Sequence, residues 1–211
     1  MNEEIFDVVN ERDEVIGQER RSEVHRLGLL HRAVHVLVQN RAGQIFLQKR
    51  SLTKDRQPGL WDSSASGHLD HGEDYDACAV RELREELGWT LDGPPQRLFK
   101  LAASRGTDQE FVWVYICKAE GPFVLHPEEI ECGAWFGPGE ITRWMRARPE
   151  EFARTLRTIW RHPALRALRP GRRGITRANR PAPGTIPSSR ADAGSFQRAT
   201  PGQTPGRRPG R

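Results

Sequence analysis

Three glutamates, Glu82, Glu85 and Glu86, lie in segment 74–87, which has the clearest helical pattern in the chain. On a helix, the spacing i, i+3, i+4 places their carboxylates side by side. Such neighbours repel one another, so a cation is expected to offset their charge. Mg²⁺ prefers carboxylate oxygen and binds jointly to protein and substrate phosphates. The pattern therefore predicts a magnesium site for phosphoryl chemistry, although acidic helix faces are more often only solvated.

The residues around these glutamates extend the pattern into a longer motif. It consists of Gly67, five residues, Glu73, seven residues and then Arg81-Glu82-Leu83-Arg84-Glu85-Glu86-Leu87-Gly88-Trp89. This segment resembles the Nudix box at every defining position. The resemblance implies an α/β (α+β) fold, namely an α/β/α sandwich with a mixed β-sheet. It also implies Mg²⁺-dependent hydrolysis of a diphosphate attached to another moiety, with Mn²⁺ as the alternative ion.

The resemblance also assigns roles within the motif. It implies that Glu82, Glu85 and Glu86 bind the metal, together with the backbone carbonyl of Gly67. It further implies that Glu73 and Arg81 brace the loop against the helix as a structural ion pair.

Residues 4–120 resemble a narrower branch of this superfamily, the one that includes isopentenyl-diphosphate isomerase. The segments that carry this resemblance are DVVNERDEVIG, LLHRAVHVLV and QKRSLTKDRQPGLWDSSASGHLDHGE. That isomerase binds a second metal through histidines and acids, and the matching positions here are His25, His31, His68, Asp108 and Glu110. The spacing of the first two histidines is one residue shorter than in the isomerase. A histidine-rich site would suit zinc or manganese better than magnesium.

The same resemblance places Arg50 and Lys54 where the isomerase holds the diphosphate of its substrate. Arginine suits this role because its planar guanidinium can contact phosphate through two hydrogen bonds. The predicted partner is therefore a small-molecule diphosphate.

Ser66 separates this chain from the isomerase. The isomerase needs a cysteine just before the Gly-His pair, where it takes part in proton transfer to carbon. A serine hydroxyl is far less acidic than a thiol, whose pKa lies near about 8.5. The isomerase also lacks an intact acidic pair at the positions of Glu82 and Glu85, and this chain retains both. The sequence therefore favours a hydrolase of nucleoside diphosphate derivatives or related organic diphosphates. An isomerase-like enzyme and an inactive diphosphate-binding relative are the alternatives.

The general base that activates the attacking water is less well determined by sequence. Glu85 is the first choice and Glu110 the second, while Glu128, Glu129 and Glu131 lie in a loop that could also reach the site. In each case the base takes a proton from a metal-activated water, which then attacks phosphorus in line.

Short strands and helices must position these residues. Apolar alternation and turn residues predict a hairpin over 5–17, strands at 31–40, 45–48, 98–104, 110–117 and 130–136, and helices at 22–28, 74–87, 140–147 and 149–160. Trp113 and Tyr115 share one side of their strand, so they would stack on a substrate base or pack in the core.

The composition changes near residue 169. Residues 169–211 contain ten arginines and one acid, a net charge of +9, which leaves −4 for the rest of a chain whose total is +5. Large apolar residues almost vanish there, so we predict a Nudix domain over 1–168 and a disordered Arg/Pro/Gly-rich tail over 169–211. Contact between this tail and RNA or another polyanion is a minor alternative to simple solvation.

Other features restrict the class of protein. There is no run of 18 apolar residues, so no transmembrane helix and no membrane partner are expected. The acidic N-terminus does not resemble a secretory signal. Cys78, Cys117 and Cys132 are odd in number and form no CxxC pair, which favours reduced thiols in a cytoplasmic protein. The oligomeric state stays open, with a homodimer among the alternatives.

Overall fold

The computed structural model describes residues 3–168 and 197–198. Its strands are β1 (Ile5–Val9), β2 (Val15–Arg20), β3 (His31–Gln39), β4 (Ile45–Arg50), β5 (Trp61–Asp62), β6 (Ala65–His68), β7 (Gln96–Leu101), β8 (Glu110–Lys118), β9 (Ile130–Phe136) and β10 (Gln197–Arg198). Its α-helices are α1 (Arg21–Leu27), α2 (Tyr75–Leu87), α3 (Pro138–Ala147) and α4 (Arg154–Arg161). Short 3₁₀ turns occur at Arg105–Thr107, Pro149–Glu151 and Pro163–Leu168.

The main sheet has the strand order β10-β9-β4-β3-β8-β7. Strand β3 runs parallel to β8, and the other pairings in this sheet are antiparallel. The predicted mixed sheet is therefore confirmed. Strands β1 and β2 form a separate antiparallel hairpin.

The alternation of side chains along β3 explains the layers on both faces of this sheet. Val34, Val36 and Val38 point to one side and belong to the core beneath α2. Ala33 and Leu37 point to the other side and pack with the residues of α3 and α4. Both faces are thus covered by helices, which confirms the predicted α/β/α sandwich.

The sheet forks between β3 and β4, and this fork positions the site. On one edge, β3 pairs with β6 through residues 33–36 but with β4 only through Val38 and Gln39. Ser64 lies at the branch point, where its hydroxyl accepts a hydrogen bond from Val38 N (2.7 Å) and donates one to Phe46 O (2.5 Å). The remaining lengths of β4 and β6 diverge from this point and leave an opening between them.

Local sequence signals account well for α2. Asp74 caps its N-terminus by accepting hydrogen bonds from the backbone of Asp76 and Ala77, and Gly88 ends it with a left-handed conformation (φ 62°).

The predicted helix over 149–160 is wrong in its first part. Ala153 N donates to Trp61 O (2.9 Å), which draws Phe152 into an extended conformation, so α4 begins only at Arg154.

Most of the predicted tail, 169–196 and 199–211, lies outside the described residues, so the division at residue 168 stays a prediction. Gln197 and Arg198 are described, and they pair with Gly133 and Cys132 at the edge of β9. In the part of the chain that the structure covers, no helix has the length and apolarity that crossing a bilayer requires.

Candidate active site

A cavity of about 1540 Å³ occupies the opening in the sheet. Its walls come from loop 53–57, β6, α2 and loop 126–129. Twelve carboxylate side chains line it against six lysines and arginines, so the cavity carries excess negative charge and favours cations. Ala33 is the one apolar side chain among its described lining residues, and these residues include no Phe, Tyr or Trp.

Glu82 approaches β6 so closely that only glycine fits opposite it. A β-carbon built on Gly67 would lie 2.0 Å from Glu82 Oε1. Glu82 is buried, and burial raises the pKa of its carboxyl to about 7 although Arg81 donates to it at 2.7 Å. The Gly67 carbonyl therefore belongs to the same small region as this carboxylate.

Glu86 lies one helical turn further along α2 and is also buried. Its Oε2 accepts hydrogen bonds from Ser66 N and Gln48 Nε2, both at 2.9 Å. Burial, followed by the charge of Glu82, raises the pKa of Glu86 well above its ordinary value. Glu85 is more exposed, and Arg81 and Arg84 donate to it at 3.1 and 3.4 Å.

Arg81 joins the loop before α2 to the helix itself. Its guanidinium contacts both oxygens of Glu73 (2.9 and 2.8 Å) and also donates to the His68 carbonyl (2.9 Å). A fork-shaped contact of this kind holds both partners in a defined orientation. The loop and the three glutamates are thereby fixed relative to one another.

Three histidines converge on the other side of β6. Ligand nitrogens of His25, His31 and His68 all lie within 4.8 Å of one another. Glu110 Oε1 lies 3.1 Å from His68 Nε2 and 3.7 Å from His31 Nε2. Among the described residues, the buried Nε2 atoms of His25 and His31 have no hydrogen-bond partner. Phe6 of β1 packs against the His68 ring at 4.6 Å and helps to fix this cluster.

Metal binding requires neutral imidazole, and the surroundings of the three histidines favour this form. Burial is the main cause, and it lowers the pKa of His25 to about 3, of His31 to about 4 and of His68 to about 3. For His25 and His31, the charge of neighbouring His68 adds to the effect. Burial also raises the pKa of Glu110 to about 7.

The fifth residue predicted for the histidine site has a different setting. Asp108 forms an ion pair with Arg56, and Arg154 Nη1 lies 3.9 Å from its other oxygen. The structure thus brings four of the five predicted residues together and engages Asp108 with arginines.

The predicted phosphate-binding cations both line the cavity. Arg50 donates to the Arg56 carbonyl (3.3 and 3.2 Å), and its Nη1 lies 3.6 Å from Asp62. Lys54 forms an ion pair with Glu129 on the opposing loop.

Several lining residues have no predicted role, and Asp62 and His126 are two of them. Asp62 is buried beside His35, and His126 presents a buried Nδ1 with no partner among the described residues. The His-Pro-Glu-Glu run at 126–129 was the only local signal for the second. Trp113 and Tyr115 belong to the α2 side of the sheet, where Tyr115 donates to Asp76 (2.8 Å), so they pack in or beside the core.

The fold, the motif and its geometry define a class of protein. The sequence model of the NUDIX domain matches residues 29–156. The chain belongs to the Nudix family and is a hydrolase that acts on phosphoric anhydrides.

Three relatives illustrate this assignment. An uncharacterised Nudix hydrolase of Yersinia pestis is 38% identical over 71% of this chain and 79% of its own length. An isopentenyl-diphosphate Δ-isomerase of Serratia proteamaculans is 31% identical over 75% and 87%. The crystal structure of DR0079 from Deinococcus radiodurans superposes with a TM-score of 0.63 at 31% identity, covering 68% of this chain and 90% of that one. The narrower branch that the sequence resembled is consistent with these relatives.

Proposed function

We propose that this protein cleaves a diphosphate linkage in a nucleoside diphosphate derivative or a related organic diphosphate, and that it requires Mg²⁺. The observation that carries the proposal is the pair of buried carboxylates, Glu82 and Glu86, which line a cavity with excess negative charge. Within the described residues, no lysine or arginine nitrogen lies within 4 Å of Glu86, so the ionised form of this carboxyl would need another cation beside it. Oxygen ligands of this kind fit Mg²⁺, with Mn²⁺ as the alternative.

The proposed ligands are Glu82, Glu85, Glu86 and the Gly67 carbonyl. A bound divalent ion would polarise the phosphoryl oxygen and lower the pKa of the attacking water. Arg50 and Lys54 would hold the substrate phosphates, and the Glu73–Arg81 contact would keep the ligands in place.

Glu85 is our first candidate for the general base. Its side chain is about half exposed (48%) and lines the cavity, so it can reach a water beside the substrate. Glu110 is the second candidate, since it is buried next to His68. A Glu85→Gln variant should lower kcat more than Glu110→Gln does. The reverse order would transfer the role to Glu110.

We propose a second metal site at His25, His31, His68 and Glu110. Three imidazoles and one carboxylate suit tetrahedral zinc, or manganese, better than magnesium. The orphaned Nε2 atoms of His25 and His31 support this proposal. Elemental analysis of purified protein should find about one such ion per chain, and His31→Asn should remove it. Metal-free protein with unaltered stability would contradict the site.

An isomerase function fits the cavity less well. One relative is named an isopentenyl-diphosphate Δ-isomerase, but the position of the proton-donating cysteine is Ser66 here. Among the described lining residues, Ala33 is the only apolar side chain, so the cavity offers no cluster of apolar side chains for a hydrocarbon tail. We therefore favour the hydrolase.

The test of the main proposal is a panel of nucleoside diphosphate derivatives and other organic diphosphates with Mg²⁺, monitored by product release. Glu86→Gln should lower kcat/KM by about a thousandfold without unfolding the protein. The matched control, Glu150→Gln, changes an exposed glutamate that does not line the cavity. If no compound is cleaved, or if Glu86→Gln matches the wild type, the proposal fails. In parallel, proton exchange of isopentenyl diphosphate with D₂O, followed by NMR, would reveal isomerase activity.

The remaining expectations concern the setting of the enzyme. The described cysteines Cys78, Cys117 and Cys132 are all free thiols, which supports a reducing compartment, and we propose the cytoplasm. A role for the tail in nucleic-acid contact and a homodimeric state stay secondary proposals.

A further inference from the structure

Arg56 is a cavity-lining residue to which neither the Nudix motif nor the isomerase resemblance assigns a role. Its Nε atom is buried and has no hydrogen-bond partner among the described residues. A buried N–H without an acceptor is costly, and in native structures such a group commonly marks the place of a water or a ligand. Arg56 therefore lines the cavity and has a donor that no described protein atom satisfies.

The ion pairs at Arg56 contain more guanidinium than carboxylate groups, although the cavity as a whole is acidic. Asp108 is the only described carboxylate within 4 Å of the Arg56 guanidinium, and it also lies 3.9 Å from Arg154. One carboxylate thus serves two guanidinium groups, which leaves about one positive charge unbalanced. Arg56 and His25 of the histidine cluster line the same cavity.

The backbone that carries Arg56 is held from two sides. Arg50 donates two hydrogen bonds to the Arg56 carbonyl. Gln57, in a left-handed conformation (φ 50°), accepts a hydrogen bond from Arg154 N (2.7 Å) through its side chain. A guanidinium held in place in this way loses less freedom when it binds an anion, so binding is stronger.

We propose that Arg56 forms an anion subsite for the non-reacting end of the substrate. It would bind a phosphate or a carboxylate there, so the preferred substrates are diphosphates whose second moiety carries additional negative charge. This inference rests on the proposed diphosphate hydrolysis. It specifies which class of diphosphates the proposed hydrolase prefers.

The lining of the cavity supports this class over two others. A bare nucleoside end would benefit from an aromatic residue to stack on, and none of the described Phe, Tyr or Trp side chains lines the cavity. A lipid-like end would need a group of apolar side chains, and Ala33 is the only one among the described lining residues. A charged end, in contrast, would meet the unbalanced charge and the free Nε of Arg56. Charge-assisted contacts of this kind are the stronger hydrogen bonds in proteins.

Three pairs of diphosphates, each differing by one anionic group, test the proposal. They are ADP-ribose with ADP-ribose 2′-phosphate, dephospho-coenzyme A with coenzyme A, and UDP-glucose with UDP-glucuronate. We expect kcat/KM to favour the more anionic member of at least one pair by about tenfold or more. The first two pairs report on phosphate and the third on carboxylate.

The variants are Arg56→Gln, Arg56→Lys and the control Arg161→Gln. Arg161 is an exposed arginine on α4 that has no described carboxylate within 4 Å and does not line the cavity. The preference should fall to within about twofold of unity in Arg56→Gln and remain at the wild-type ratio in Arg161→Gln. Arg56→Lys keeps the charge without the planar fork, so an intermediate ratio is expected. Thermal unfolding and metal content, measured for each variant, identify a protein that is misfolded or has lost its metal.

The outcomes separate this inference from the function on which it rests. Cleavage without preference in any pair, or a preference that persists in both Arg56 variants, overturns the subsite and leaves the hydrolase intact. If nothing is cleaved, the hydrolase proposal fails. The subsite is then tested by calorimetric titration of the same pairs into metal-loaded protein, which measures their Kd values. Tighter binding of an anionic member that Arg56→Gln removes would support it, and equal Kd values would overturn it.

Discussion

Gly67→Ala is the substitution whose effect the structure predicts most directly. The added carbon would lie 2.0, 2.2 and 2.6 Å from Oε1, Cδ and Oε2 of Glu82. Ordinary contact begins near 3.4 Å, so the carboxylate must move by about 1.4 Å. Gly67 does not have a positive φ, so alanine adds this clash without backbone strain.

A displacement of this size exceeds what magnesium coordination tolerates. Mg²⁺ requires oxygen ligands at about 2.0–2.1 Å in near-octahedral geometry, so if Glu82 is the ligand that we propose, its shifted carboxylate would no longer reach the ion. We expect metal affinity to fall by about 10–100-fold, by analogy with the loss of supporting contacts at other metal sites. This corresponds to about 1.4–2.7 kcal/mol of binding free energy. The clashing atoms are the end of a flexible side chain, so the free energy of unfolding should fall by only about 1 kcal/mol, the low end for overpacking.

The assay is titration with Mn²⁺, with free ion measured by electron paramagnetic resonance, alongside the Mg²⁺ dependence of kcat. Gly93→Ala is the control, because a β-carbon there meets nothing within 4 Å. In the Gly67→Ala background, Glu82→Asp shortens the acid by one methylene and should restore part of the affinity. Wild-type Mn²⁺ affinity and Tm in Gly67→Ala would refute the role of Glu82 and the tight contact on which the argument depends.

Three further predictions concern the Glu73–Arg81 contact, the N-terminal hairpin and the metal. Arg81→Lys cannot contact both oxygens of Glu73, so kcat/KM should fall by about tenfold or more while circular dichroism stays unchanged. Burial tends to raise the pKa of Asp13, but hydrogen bonds from Arg32 and Lys100 outweigh it and hold this pKa below its ordinary value. Asp13→Asn should therefore cost about 2 kcal/mol in urea unfolding at pH 7, and the difference should shrink as the pH falls through that lowered pKa, where wild-type Asp13 also becomes neutral. Chelation should lower Tm, and divalent ion at 100 times its Kd should return about 2.7 kcal/mol of stability.

The sequence was sufficient where the signals were local. The glutamate spacing, the Asp74 cap and the terminating Gly88 lie within one helix, so α2 was predicted to within one residue at its start. The mixed sheet followed from the motif resemblance, which specifies a fold.

The sequence was insufficient where distant residues determine the outcome. The break before α4 arises from a hydrogen bond to Trp61, about 90 residues earlier in the chain. The pairing of Asp108 with Arg56 joins two loops through opposite charges, and nothing in either loop selects that partner. His126 gains significance only because the fold brings its loop to the cavity.

The hydroxyl of Ser64 also has a consequence for how the chain folds. In an ordinary hairpin, adjacent strands complete their hydrogen bonds as soon as the turn closes. Here Val38 N and Phe46 O meet through Ser64, which is synthesised 18 residues after Phe46. The β3–β4 hairpin is therefore completed by a non-local contact, which must wait for a longer loop to close. Its final closure should coincide with assembly of the β5–β6 segment, so the opening that holds the cavity would form in the same folding step as the centre of the sheet.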